Sequence, residues 1–213
     1  MSTTELERRP HDGLVVAIGL VVLSISTLFA LSDTLSRAEV DLFRFVNRWP
    51  DWIEAPFWIV MQAGSFVAIP VSAIVALAVG RNGRLAAARL VAGAAAWLAA
   101  KLVKEVVERG RPAAFLDDVI ERPAWEGLGF MSGHAAVAFA LATVAIPYLR
   151  GWWRWLPTAI AVGTAILRVY TGAHLPLDVV GGAALGVAIG AAVTLAFGVP
   201  AAQPVDELRR VSA

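Results

Sequence analysis

The sequence predicts an all-α fold, a polytopic membrane protein built as one bundle of six transmembrane helices. Of its 213 residues 58% are hydrophobic and only 16% charged, with a mean hydropathy of +0.69, whereas a soluble domain is about half apolar and a quarter charged. The apolar residues also come in long runs, and about 18 to 25 in succession suffice to cross the hydrocarbon core as a helix. Basic residues punctuate those runs without forming a continuous stripe, so a net charge of +1 gives no basis for a nucleic-acid partner. The absence of cysteine excludes disulfides, thiolate metal sites and cysteine nucleophiles.

Breaks at charges and turn residues place the spans at 13–31, 56–80, 85–103, 134–149, 156–170 and 176–199, between short polar tails at 1–12 and 200–213. The first run exceeds the apolar stretch of a signal peptide, about 7 to 15 residues, and lacks a clear small-x-small cleavage site, so it is read as a retained helix. Before the second span, residues 37–49 place Leu42, Phe45, Val46 and Trp49 at helical spacing, with Asp41, Arg44 and Arg48 on other faces. That is the pattern of a helix lying in the interface, either as an anchor or as one wall of a lateral opening for a lipid tail. Gly64 and Pro70 interrupt the second span and predict a kinked or partly buried segment. Gly182, Gly186 and Gly190 recur every four residues in the last span, which lets another helix approach closely. Packing inside the bundle is the expected use, ahead of dimerisation. Trp152, Trp153 and Trp155 read as an inner aromatic belt and Trp49, Trp52 and Trp125 as an outer one. No second domain, repeat or low-complexity segment is found.

Orientation follows from the arginines, because Lys and Arg in short loops stay on the cytoplasmic side. Arg8, Arg9, Arg81, Arg84, Arg150, Arg154, Arg209 and Arg210 all fall on one face, which puts both termini in the cytoplasm. The segments 32–55, 105–131 and 171–175 then face outward. Arg109, Arg111 and Arg122 lie there against the rule, and the expectation is a local anion, such as a phosphate, that offsets them. Arg109 alone reads as a solvated loop residue.

Three clusters fall at that outer face. Lys104 and Arg111 sit at the end of the third span, where cations otherwise snorkel to the interface; Lys101, one turn earlier, reads as such a snorkeler. Ser132-Gly133-His134 opens the fourth span, with Ser132 as N-cap and free amide N–H groups suited to an anion. Arg168 ends the fifth span with planar bidentate donors that match phosphate oxygens. His174 and Asp178, four apart with Pro176 between them, can share one helix face, the carboxylate fixing the imidazole tautomer and leaving the other nitrogen free to attack or take a proton. Taken singly, each cluster also fits a plain reading: interfacial cations, an ordinary cap, a structural His–Asp bond. Their convergence at one face favours a shared anion site.

Lys104-x6-Arg111-Pro112, Ser132-Gly133-His134 and Arg168-x5-His174-x3-Asp178 resemble the three signature motifs of the type 2 phosphatidic acid phosphatase (PAP2) superfamily, over roughly residues 85–190. Two positions depart: Met131 precedes Ser132 where proline is usual, and Leu167 precedes Arg168 where serine is usual. The resemblance implies a six-helix PAP2-type membrane domain at 13–199 that hydrolyses lipid phosphates or diphosphates. It makes His174 the nucleophile that forms a phosphohistidine, Asp178 its orienter, and His134 the proton donor to the leaving group. Lys104, Arg111, Ser132, Gly133 and Arg168 would bind the phosphate. No metal or other cofactor is implied, and Glu105, Glu108, Asp117, Asp118, Glu121 and Glu126 show no metal-ligand spacing and read as solvated charges. The expected substrate is a lipid phosphate at the extracytoplasmic face: polyprenyl diphosphate, phosphatidate or phosphatidylglycerol phosphate. The altered residues 131 and 167 motivate a rival reading, a noncatalytic lipid-phosphate binder or transporter that retains the anion pocket. A vanadate-dependent haloperoxidase is disfavoured by the six predicted spans. Tail, head group and oligomeric state are not encoded in these motifs.

Overall fold

The computed structural model describes residues 6–32, 34–122 and 126–201; Trp125 and most of the tails lie outside them. Eight α-helices are found among these residues: α1 (Pro10–Ala30), α2 (Arg37–Asn47), α3 (Glu54–Gln62), α4 (Ala68–Ala78), α5 (Gly83–Val107), α6 (Gly133–Ala145), α7 (Leu156–Tyr170) and α8 (Pro176–Phe197). One departure from the all-α expectation is a two-stranded antiparallel sheet, in which β1 (Leu6–Glu7) pairs with β2 (Val199–Pro200).

Helix ends follow local chemistry. Asn82 opens α5 by accepting the Leu85 N–H at 2.9 Å, and the helix ends where Glu108 turns left-handed at φ 52°. Pro176 begins α8, where its missing N–H costs no helical bond. The second predicted span is a broken helix: α3 and α4 are separated by a turn at 63–67. Gly64 forces the break to pack closely, since a Cβ there would lie 2.3 Å from the His134 carbonyl oxygen. Two helices, α1 and α8, are long and apolar enough to cross a bilayer by themselves.

The core is made of small residues. Ala92, Ala96 and Ala100 of α5 meet Ala136, Ala140 and Val144 of α6 and Leu185 and Val193 of α8 in one buried cluster. With no water to exclude between helices, such seams gain from close van der Waals contact. The glycine ladder serves this purpose: a Cβ at Gly186 would sit 2.3 Å from the Ala136 carbonyl oxygen, and one at Gly182 would sit 2.4 Å from that of Ser132. The ladder therefore joins α8 to α6. α1 lies along the far side of α8, with Gly19 against Ala184 and Ala188 and with Thr194 donating to the buried Asp12 at 3.1 Å.

In α2 the apolar residues grouped by spacing divide between two sides. Ser36 caps it by accepting the Glu39 N–H at 3.1 Å. The face turned to the bundle is Phe43, Val46 and Asn47, whereas Leu42 and Phe45 point outward at 52% and 67% exposure. Asn47 fixes the helix in place, donating to the Ile120 and Tyr170 carbonyls at 2.8 and 2.9 Å and accepting the Ile120 N–H at 2.9 Å. A polar residue, not the leucine at 42, keys α2 to the bundle.

Candidate active site

All eight residues singled out for chemistry meet at one end of the bundle. Lys104 occupies the last turn of α5, Ser132 caps α6 ahead of Gly133 and His134, Arg168 ends α7, and His174 stands in the loop before Asp178 of α8. Arg111 follows α5 in the loop. His174 is 2% exposed and Asp178 fully buried. The Nδ1 of His174 lies 3.6 Å from Asp178 Oδ2, which is long for a hydrogen bond. The same Oδ2 accepts the Leu175 N–H at 2.9 Å, which holds the carboxylate at the head of its helix.

Backbone bonds weld the motifs together. The Ser132 N–H donates to the Asp178 carbonyl at 2.9 Å, joining the start of α6 to α8, and the Ala173 and His174 N–H groups donate to the Arg168 carbonyl at 3.2 Å. Ser132 Oγ accepts from Ala135 N at 3.4 Å. Lys104 Nζ donates to the Leu128 and Gly129 carbonyls at 2.8 and 3.0 Å. Arg111 donates to the Glu126 and Ala173 carbonyls at 2.8 and 2.7 Å. Each cation thus has part of its donor set fixed on loop carbonyls, which aims what remains. Arg168 Nη1 lies 3.7 Å from the Met61 sulfur, so the broken helix also touches the site.

Burial, and then the positive charges of Arg168, Lys104 and Arg111, push the His174 imidazole well below its ordinary range; the Gly129 backbone acts in the opposite sense. The residue is therefore neutral at physiological pH, with a free lone pair. A buried neutral imidazole ringed by three cations is a place for an anion and a nucleophile at once.

Two of the three arginines predicted to face outward are answered by internal carboxylates and carbonyls, which corrects the expectation of a bound anion there. Arg109, read from sequence as solvated, is fully buried; it donates to Asp178 Oδ1 at 2.9 Å and pairs with Glu39 Oε2 at 3.2 Å. Glu39 also accepts the Leu177 N–H at 3.2 Å. A line of charges therefore leads from Glu39 of α2 through Arg109 to Asp178, which lies beside His174. Arg122 pairs with Asp51 at 2.8 Å and caps the Asn47, Trp49 and Tyr170 carbonyls. Of the three, Arg111 is the one that the sequence motifs assign to the site, and Arg109 joins it through Asp178. Lys101 is exposed, its Nζ 4.0 Å from the Trp97 ring centroid. Met131 and Leu167, at the two departing positions, are buried in apolar clusters, so their side chains serve packing. Among the described residues, no group of three or more His, Asp or Glu is arranged to hold a metal.

The model of one family, the PAP2 superfamily, matches residues 84–199, more than half of the chain and the part that carries every site residue. Two solved structures share the fold. The crystal structure of Aquifex aeolicus LpxE aligns with a TM-score of 0.64 at 25% identity, covering 72% of this chain and 93% of that one. That of the first transmembrane PAP2-type phosphatidylglycerolphosphate phosphatase from Bacillus subtilis aligns with a TM-score of 0.66 at 21% identity, covering 82% and 93%. No curated protein sequence matches.

Proposed function

Because this chain belongs to the PAP2 superfamily, we propose that it is an integral-membrane lipid phosphatase that works through a phosphohistidine at His174. The observation that carries this reading is the neutral, buried His174 backed by Asp178 and flanked by Lys104, Arg111 and Arg168. The bundle crosses the membrane six times, with α3 and α4 together forming one crossing. Both termini lie in the cytoplasm and the site opens on the opposite face, as the arginine distribution supports.

In the reaction, Nε2 of His174 attacks phosphorus and the bond from phosphorus to the lipid oxygen breaks. Asp178 accepts from Nδ1 and balances the charge that develops on the ring, a contact that shortens from 3.6 Å as it does so. His134 protonates the departing lipid oxygen. Lys104, Arg111 and Arg168, with Ser132 and the Gly133 amide, hold the nonbridging oxygens, which is the positioning and electrostatic stabilisation that phosphoryl transfer mainly needs. Water, deprotonated by His134, then releases phosphate. The three cations carry the charge that a divalent metal carries elsewhere, so the reaction is metal-independent. The substrate is a lipid phosphate or diphosphate: polyprenyl diphosphate, phosphatidate or phosphatidylglycerol phosphate.

The test is phosphate release by detergent-purified protein in EDTA, from each of these three lipids, beside a His174→Ala control. Release that vanishes in the variant supports the mechanism and ranks the substrates. A need for added divalent metal would overturn the metal-independent step. Binding of the lipids without release by the folded protein would favour the noncatalytic lipid-phosphate binder.

A further inference from the structure

Away from His174, a lateral cavity of about 850 Å³ opens between the broken helix and α7, with α6 as its floor. Its walls are mostly apolar, Trp58, Val71, Leu141 and Ile160 among them, and it reaches from Gln62, next in sequence to Met61 beside Arg168, to Leu149 and Trp153 at the other end of the bundle. One charged side chain lines it: Arg89 of α5.

Arg89 is unusual for its position. It stands two turns inside an apolar helix, where an arginine needs a partner or a route to water. Among the described residues no carboxylate pairs with it. Its Nη1 donates to the Ser72 carbonyl at 3.1 Å, while its Nε is buried without an acceptor. Arg81 and Arg84, by contrast, are exposed near the helix start, and Arg84 reaches the Phe197 carbonyl. The cavity thus joins a long apolar channel to a single incompletely satisfied guanidinium, whose fork matches a phosphodiester.

We propose that this cavity is a second lipid site, which holds one anionic phospholipid by its phosphate at Arg89 with an acyl chain along the groove. Its phosphate position is distinct from that of the reacting lipid. Arg89 and Lys104 lie on one helix fifteen residues apart, about 22 Å at 1.5 Å per residue, so no single phosphate or diphosphate reaches both. The lipid comes from the leaflet at the Arg81 end of the bundle. The charge of Arg89 selects it over a zwitterionic one, and the groove fixes only that a chain is present.

Native mass spectrometry of the full chain, released from detergent mixed with phosphatidylglycerol and phosphatidylcholine in equal amounts, tests this directly. One retained phosphatidylglycerol is expected, favoured about fivefold by a single membrane-facing cation. Arg89→Gln should abolish the preference and Arg89→Lys should keep most of it. Val75→Trp, at a half-exposed groove position, should reduce retention of both lipids, and it needs no change at Arg89 to do so. Equal retention of both lipids by the wild type would mean that the groove takes a chain without regard to charge, and would overturn the proposal. So would an unchanged preference in Arg89→Gln, or full retention in Val75→Trp. Because the readout is bound lipid, a failure here is separable from a failure of the phosphatase reading.

Discussion

Replacing Arg109 by glutamine removes the one cation that stands between Glu39 and Asp178. The side chain is fully buried, with its two carboxylate contacts at 2.9 and 3.2 Å. Removing one partner of a buried pair costs about 3–5 kcal/mol, because the remaining charge stays out of water, whereas an exposed pair is worth only about 0–1 kcal/mol. Glutamine can still donate a hydrogen bond but brings no charge, so the larger figure applies. Equilibrium unfolding in detergent, followed by tryptophan fluorescence at neutral pH, should show a loss of about 3–5 kcal/mol for Arg109→Gln. Turnover should fall with it, since Asp178 loses the group that holds its carboxylate beneath His174. Adding Glu39→Gln removes one stranded carboxylate, so the double variant should lose less than the sum of the two single ones, by about 0.5–3 kcal/mol. A loss below about 1 kcal/mol for Arg109→Gln would put the pair in the exposed class and refute the reasoning.

Gly64→Ala should destabilise by about 1–3 kcal/mol, because its Cβ would meet the His134 carbonyl oxygen at 2.3 Å; displacing the first turn of α6 should also lower kcat more than it raises KM, as steady-state kinetics would show. Asn47→Ala strips three hydrogen bonds from the buried seam between α2, the loop at Ile120 and α7. It should cost about 1–3 kcal/mol, read as a lower Tm with turnover kept at temperatures where the protein is folded. His174 is held well below its ordinary range in the folded chain, first by burial and then by Arg168, Lys104 and Arg111, while in the unfolded chain it takes up a proton near pH 6.5. The unfolded state therefore binds more protons below that pH, and this residue's contribution to stability is intact above about pH 6.5 and declines as pH falls below it. A 15N-histidine spectrum assigned with His174→Ala should show a neutral ring at about pH 5.5, and a charged ring there would contradict the site geometry.

Elements whose signal is one-dimensional were legible in the sequence. The helices at 10–30, 83–107, 156–170 and 176–197 follow long apolar runs ended by charges or proline, and the eight residues of the three motifs stand at helix ends that such runs define. What the sequence did not disclose was pairing across the fold. Ser36-x-x-Glu39 is the pattern of a local capping box, and Ser36 does cap α2, but Glu39 is drawn away to Arg109 and the Leu177 N–H. Arg109 gave one usable signal, its place on the face where arginine is unexpected. That signal could not separate a bound phosphate from an internal carboxylate, because both neutralise it. The outward turn of Leu42 and Phe45 was hidden for a related reason: a helix at a lipid interface presents apolar residues to the bilayer as well as to the protein, so periodicity alone does not say which side is which.

The seam between α1 and α8 has a meaning for the order in which the bundle is made. α1 is synthesised early, yet the helix that covers Gly19 and receives Asp12 is the last to appear. Until then α1 has no finished surface to rest on, and its long apolar run is of the kind that can stand in a bilayer by itself. When α8 arrives it docks on two sides at once, against α6 through its glycines and against α1 through Ala184 and Ala188, and in the same step brings Asp178 beneath the histidine loop. A chain stalled before α8 would thus hold Lys104, Arg111 and Arg168 but lack Asp178.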